Sequence, residues 1–461
     1  MRSAIDIGSQ VRTGRLKAAD VARVAIDAAR ASQESLNAFT LIDAEGATVR
    51  ARAVDMLVDQ GKDPGPLAGV PVALKDIIDQ AGLPNTHGGS FPVEISQNSA
   101  TVVRRLGAAG AVIVGRTNLH EFAFGFTSEN HWFGPVRNPW DLETSAGGSS
   151  GGSAATVAAG VVPLAIGTDT GGSVRVPAAM CGVFGLKPTH GRVPLSGVYP
   201  LVASFDTVGP LARTVDDLAA AYLAMAGDDA SDPWSRPIPV PHPASSIEPS
   251  TVRIAVVKQW FDIPHSRDVA HAIDRFVDAC ADLGFPVTVI DEETLRPIPE
   301  VTKASRAEVL AVHGDRFHDH RERYGPDLRT RLEDSQGVTP HDMVAAARWI
   351  SSARAAVERL QADGFTALVA PTVGVRSKTI GVDDVDVDGT PVFHRIPLAE
   401  FTAPINAIGI PSLSVPLMNS GSPPVSVQLI GTAWSEARLL AIAGHLESHD
   451  LIGFTPPPHT F

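Results

Sequence analysis

Residues 147–180 read GGSSGGSAATVAAGVVPLAIGTDTGGSVRVPAAM, two glycine- and serine-rich runs separated by one apolar span. The alanine-rich stretch from Gly152 to Gly160 predicts a helix, because small unbranched residues lose little freedom there. Val161 to Ile166 is a short apolar run bounded by turn residues, which predicts a buried strand. The second run, Gly167 to Ser173, leads into Val174 to Met180, where a further helix is expected to start. Turn, helix, strand, turn and helix in succession predict a layered α/β fold with a parallel or mixed sheet. Glycine lacks a Cβ, so the amides of such turns can approach a substrate closely. Each run also sets a serine, Ser149 and Ser173, directly after a Gly-Gly pair.

The alternation continues outward in both directions. Ala18 to Ala31 carries Val21, Val24, Ala25 and Ala28 at helical spacing, and Glu45 to Asp59 predicts a second helix. Val70 to Leu74 predicts a buried strand that delivers Lys75 and Asp76 at its end. Thr101 to Ala109 predicts a helix and Ala111 to Gly115 a strand. From Gly227 to Ser250 the composition shifts to Pro233, Pro237, Pro239, Pro241, Pro243 and Pro249, which predicts a surface linker. Strands are expected over Val252 to Val257, Ala367 to Thr372 and Ser412 to Met418, and helices over Asp268 to Leu283 and Leu439 to Glu447. Residues 300–363 are charged and largely helical in pattern. The expected organisation is one domain over 1–461, with its core at about 60–226 and 400–454. A linker at 227–250 and a helical cover at 300–400 complete it.

Composition narrows the function class. Of 461 residues 44% are hydrophobic, enough for a large core, and the formal net charge of −13 disfavours binding to a phosphate backbone. Cys181 and Cys280 have neither disulfide-framework nor zinc spacing, so both are expected to be buried thiols, with no metal or cofactor. Met1 to Gln10 lacks a basic then apolar leader, and no run of about 18 uncharged apolar residues occurs. A cytoplasmic protein with neither membrane nor nucleic-acid partner is expected.

Three groups could carry chemistry. Lys75 lies in the apolar context Gly69-Val70-Pro71-Val72-Ala73-Leu74, which would desolvate its amine and let it act as a base; alone, it also fits a snorkelling surface lysine. The glycine-rich runs do not contain Gly-x-x-x-x-Gly-Lys, so a phosphate-loop reading fails, although a helix N-terminus can bind an anion without it. Gly147-Gly148-Ser149-Ser150-Gly151 fits the Gly-x-Ser-x-Gly elbow, which would make Ser149 an esterase nucleophile. That elbow needs a strand before it, where Asn138 to Thr144 predicts loop, and a late histidine, for which His394 and His445 are the candidates.

The two runs, with Val174 to Thr189, Gly69 to Asp76, Thr117 to Phe122, Glu129 to Asp141, Phe401 to Asn406 and Val427 to Gly431, resemble the amidase signature family over almost the whole chain. The resemblance implies a central mixed β-sheet covered by helices on both faces. It implies hydrolysis of an amide or carbamate C–N bond, with Lys75 as base, Ser149 as a bridging serine after a cis peptide, and Ser173 as nucleophile. The backbone amides of Thr170, Gly171, Gly172 and Ser173 suit an oxyanion hole, and by the same carry-over Ala123 lines the substrate site. Asp169 and Arg175 are expected to form an ion pair that holds the loop, with Ser150 and Ser153 as supporting hydrogen-bonders. Phe122, Phe124, Phe126, Trp132 and Phe133 are candidates for an apolar pocket. The glutaminase subunit of a tRNA-dependent amidotransferase shares this pattern, but Arg192 to Pro200 departs from the block expected there. A small-molecule substrate and a monomer or homodimer are expected.

Overall fold

A computed structural model describes residues 1–461. Eleven strands form one mixed sheet. In chain order they are β1 (Phe39–Ile42), β2 (Pro71–Lys75), β3 (Val112–Thr117), β4 (Leu164–Asp169), β5 (Phe184–Lys187) and β6 (Thr207–Ala212). After the linker come β7 (Arg253–Val257), β8 (Val287–Ile290), β9 (Phe365–Pro371), β10 (Ser412–Pro416) and β11 (Ser426–Ile430). The spatial order is β1-β3-β2-β4-β6-β5-β10-β11-β9-β7-β8. Strand β2 runs parallel to β3 and β4, and β7 runs parallel to β8 and β9. The antiparallel strands β6, β5, β10 and β11 join these two parallel groups.

Helices cover both faces, and side-chain alternation along the strands shows how. In β7, Ile254 and Val256 join the main core with Val269, Ile273 and Phe276 of the helix Arg267–Asp282. The intervening Ala255 and Val257 point to the other face, where they pack with Trp349, Ala353 and Val357 of the helix Pro340–Ala362. That alternation is the period of two that a strand dictates. The long helix starts at a capping box, Thr339 with Asp342, with proline in its first turn.

Several boundaries move from the sequence expectation, each for a physical reason. The strand expected over Val161 to Ile166 is β4, Leu164–Asp169: Pro163 lacks a donor, and pairing with β6 extends the strand into the second glycine run. Asn138 to Thr144, expected as loop, is largely a two-stranded ribbon of Arg137–Asn138 with Asp141–Ser145 outside the main sheet. The expected helical cover is three helices, Pro299–Asp319, Pro326–Ser335 and Pro340–Ala362, after which β9 returns to the sheet. A hairpin of Asp384–Val387 with Thr390–Phe393 follows. The proline-rich stretch forms no regular element until Pro249, and Arg192 Nη1 donates to Ile238 O at 2.9 Å and Pro239 O at 2.8 Å to hold it down. No helix is long and apolar enough to cross a membrane.

The parallel group β3-β2-β4 positions the site. Its strands end on Thr117, Lys75 and Asp169, all buried polar residues. In open α/β sheets the carboxyl ends of parallel strands are where ligands bind.

Candidate active site

Lys75 closes β2 with its side chain wholly buried. Its Nζ lies 2.7 Å from Ser149 Oγ and 2.7 Å from Thr168 Oγ1 on the neighbouring β4. Burial pushes its pKa down to about 7, against the pull of the Asp169 and Asp206 charges. An amine at that value is substantially neutral near pH 7 and can accept a proton.

Ser149 is fully buried and follows a cis peptide, Gly148–Ser149. Gly148 is required by packing, since a Cβ there would meet the backbone nitrogens of Thr127 and Ser128 at 2.7 Å each. The Ser149 carbonyl accepts from the His120 N–H and from Ser128 Oγ, both at 3.2 Å. Ser150 donates its N–H to the Ser173 carbonyl at 3.2 Å and its hydroxyl to Thr168 O at 3.2 Å, so it stitches the two glycine runs together. Ser153 lies 2.8 Å from Thr117 Oγ1 and donates to Ile166 O, joining the helix Gly151–Ala158 to β3 and β4.

The loop after β4 is held from below by Asp169. One oxygen of Asp169 accepts from the Gly172 N–H at 2.7 Å, and the other accepts from Val174 N–H at 3.2 Å and from Arg175 Nε at 3.0 Å. Arg175 is itself fully buried and also donates to Asn406 Oδ1, Gln428 Oε1 and Thr402 O. Burial would raise the Asp169 carboxyl, but Arg175, Lys187 and Asn406 outweigh it and keep it well below the usual carboxylate range. The expected Asp169–Arg175 pair is therefore present. One expectation is corrected: the Gly172 amide is engaged by Asp169 and is not a free donor, whereas the N–H groups of Thr170, Gly171 and Ser173 have no partner within the chain. Gly172 has φ +131°, and a Cβ there would meet Thr402 Oγ1 at 2.2 Å. Thr402 Oγ1 in turn donates to Gly171 O at 2.7 Å.

Ser173, Thr170, Gly171 and Ala123 line one cavity of about 340 Å³. Ala123 reaches it through a kinked turn in which Phe122 and Ala123 have φ of 47° and 60°. Of the five candidate aromatics only Phe124 and Phe126 line the cavity, joined by Phe205 and Phe393. Phe122 packs behind it against His313, Tyr199 and Tyr324. Trp132 is partly exposed with its indole N–H on Glu121, and the Phe133 carbonyl accepts from Asn37. The histidines do not reach Ser149. His394 is buried with Nδ1 2.7 Å from Asp383 O, and His445 stacks on His449. With Lys75 on its hydroxyl and no sheet strand before it, Ser149 does not have the elbow geometry.

Sequence reasoning missed Thr168, Asp206 and the cover residues. Thr168 lies on β4 beside Lys75, a contact that the β2–β4 register creates. Asp206 accepts from Thr170 Oγ1 at 2.5 Å and from the Leu201 N–H at 2.9 Å, and burial pushes it up to about 6. Arg306, Arg395 and Glu400, from the expected cover, also line the cavity.

Buried lysine, serines after Gly-Gly pairs and a mixed eleven-stranded sheet define a C–N hydrolase of the amidase type. The amidase family model matches residues 20–440, and the chain belongs to that family. It is 36% identical over 461 residues to the AtzE subunit of 1-carboxybiuret hydrolase from Pseudomonas sp. (strain ADP), covering 95% of this chain and 96% of that one. It is 34% identical to a glutamyl-tRNA(Gln) amidotransferase subunit of Carboxydothermus hydrogenoformans, covering 97% of each. Among solved structures, 6-aminohexanoate cyclic dimer hydrolase with bound substrate superposes with a TM-score of 0.84 at 28% identity, covering 97% of both chains.

Proposed function

We propose that this protein is an amidase that cleaves a small-molecule amide, aryl amide or carbamate through an acyl-enzyme on Ser173. The observation that carries this reading is the contact of a buried, proton-poor Lys75 with Ser149, next to a cavity that Ser173 and three unpartnered amides share. Neutral Lys75 takes the Ser149 proton as Ser149 takes that of Ser173, and Ser173 Oγ bonds to the carbonyl carbon. The developing oxyanion accepts from the amides of Thr170, Gly171 and Ser173; one such donor is worth about 2.7–4 kcal/mol of barrier. The proton then returns through Ser149 to the leaving nitrogen as the C–N bond breaks. Water attacks the acyl group by the same relay run again and frees Ser173.

The amidotransferase relatives support a second reading, a glutaminase subunit that passes ammonia to a partner. The departing block at Arg192 to Pro200 favours a self-contained enzyme, monomer or homodimer. Purified chain assayed alone on aryl amides, primary amides, esters and carbamates separates the two: turnover without a partner supports the amidase, and glutaminase activity seen only with a co-purified partner overturns it. Ser173→Ala is expected to lower kcat on the order of 10⁴-fold or more, and mass spectrometry of wild type quenched during turnover should find the acyl mass on the peptide containing Ser173. Full activity in that variant removes the nucleophile assignment.

A further inference from the structure

Arg395 opens the short helix Arg395–Ala399 and lines the same cavity as Ser173, with Arg306 of the helix Pro299–Asp319 beside it. Elsewhere in this chain a buried arginine has a visible structural task. Arg175 binds Asp169, Arg116 binds Asp76, and Arg192 Nη1 binds the carbonyls of Ile238 and Pro239. Neither Arg395 nor Arg306 forms an ion pair or a hydrogen bond with any protein group, and Arg306 Nε is buried without a partner. The Arg395 guanidinium carbon lies 6.0 Å from the centre of the Phe126 ring, which also lines the cavity. Nearby charges do not neutralise it. Arg331 is bound to Asp327 at 2.9 Å, and Lys303 faces Asp342 at 3.8 Å. Glu400, the one carboxylate lining the cavity, makes no ion pair. Burial and the charges of Arg331 and Arg306 push the Arg395 pKa down to about 9. An arginine remains charged under these conditions; the charges of Asp327 and Asp334 act on it the other way, but neither forms an ion pair with it, and Asp327 is bound to Arg331. Two guanidiniums left unpaired in a half-closed cavity form a site built for a planar anion.

We propose that the substrate carries a carboxylate bound by Arg395, with Arg306 as its second contact, while Phe124, Phe126 and Phe205 flank the chain between that carboxylate and the scissile amide. This rests on the reading of Ser173 as the nucleophile of the same cavity. A cavity of about 340 Å³ restricts the substrate to a small molecule.

The test uses pairs of equal chain length that differ by carboxylate against methyl. Succinamate, glutaramate and adipamate are compared with butanamide, pentanamide and hexanamide. N-Acetyl-β-alanine against N-propylacetamide places the charge on the amine side of the amide. For at least one pair the wild type should prefer the anion about tenfold or more in kcat/KM. In Arg395→Gln that ratio should collapse toward one through KM, and Arg395→Lys should restore part of it. A wild-type ratio of one or below for every pair, or an unchanged ratio in Arg395→Gln, overturns the proposal. Ser173→Ala titrated calorimetrically with the same pairs reads anion preference without turnover. If wild type hydrolyses none of them yet this variant binds an anionic member more tightly, the hydrolytic reading fails and the anion site stands. Equal or absent binding throughout sinks the anion site whatever the turnover.

Discussion

Lys75 is the residue on which pH acts. In the proposed mechanism the neutral amine is the base, so kcat/KM should rise as pH passes about 7 and then level off. Lys75→Ala should lose about 10²- to 10⁴-fold in rate, and its pH profile should lack that limb; an unchanged limb would assign it to another group. The same shift also acts on stability. Lys75 and Lys187 both have folded pKa values pushed from 10.5 to about 7 by burial. Below about 7 both amines are charged in the folded chain and their burial costs stability in full; between about 7 and 10.5 only the unfolded chain binds the extra proton, so that cost shrinks and stability rises with pH through the window. Urea midpoints measured from pH 7 to 9.5 should reflect this, and the slope should be shallower in Lys75→Met, where only Lys187 remains.

Among the elements, the loop after β4 is shaped by what the strand's last residue binds. Asp169 ends the strand and takes the Gly172 amide, while Arg175 anchors Asp169 to Asn406 and Gln428 from the far end of the chain. Breaking a buried pair by removing one member leaves an uncompensated charge, typically at about 3–5 kcal/mol. Arg175→Met is therefore expected to lower unfolding free energy by that amount in chemical denaturation. It should also depress kcat more than it raises KM, because the loop presenting the Thr170, Gly171 and Ser173 amides loses its anchor. A variant of wild-type stability would show that the pair contributes nothing net.

Across the molecule as a body, one sheet runs through both halves of the chain, and the proline-rich stretch only bridges them over the surface. Residues 241–250 are mostly exposed, with the Pro249–Thr251 turn as their only regular element. Limited proteolysis should cut first between His242 and Glu248. The nicked protein should keep its activity, since β6 and β7 are each fixed by strand pairing; prompt inactivation on nicking would show that the stretch supports the core. The cover is tied to the site by His120 Nε2, 2.9 Å from Asp327 Oδ2, and by Glu121, which accepts the Gly325 N–H at 3.0 Å. Burial pushes Glu121 up to about 7 despite that bond.

The features legible along the chain are local ones. The paired Gly-Gly-Ser runs, the apolar approach to Lys75 and the Asp169 and Arg175 spacing are each contained in a few residues, so their chemistry can be read directly. Strands β2, β3 and β4 are legible for the same reason, since continuous apolar runs mark buried parallel strands. Strands β1, β5, β6, β8 and β11 are not, because glycine, proline or a polar residue breaks each apolar run. Only the folded arrangement puts Thr168 on Lys75, has Asp169 take up the Gly172 amide, and brings Arg306 and Arg395 into the cavity. Those contacts arise from strand register and from packing of the cover on the sheet. Hydrophobic burial drives that packing without reference to order along the chain.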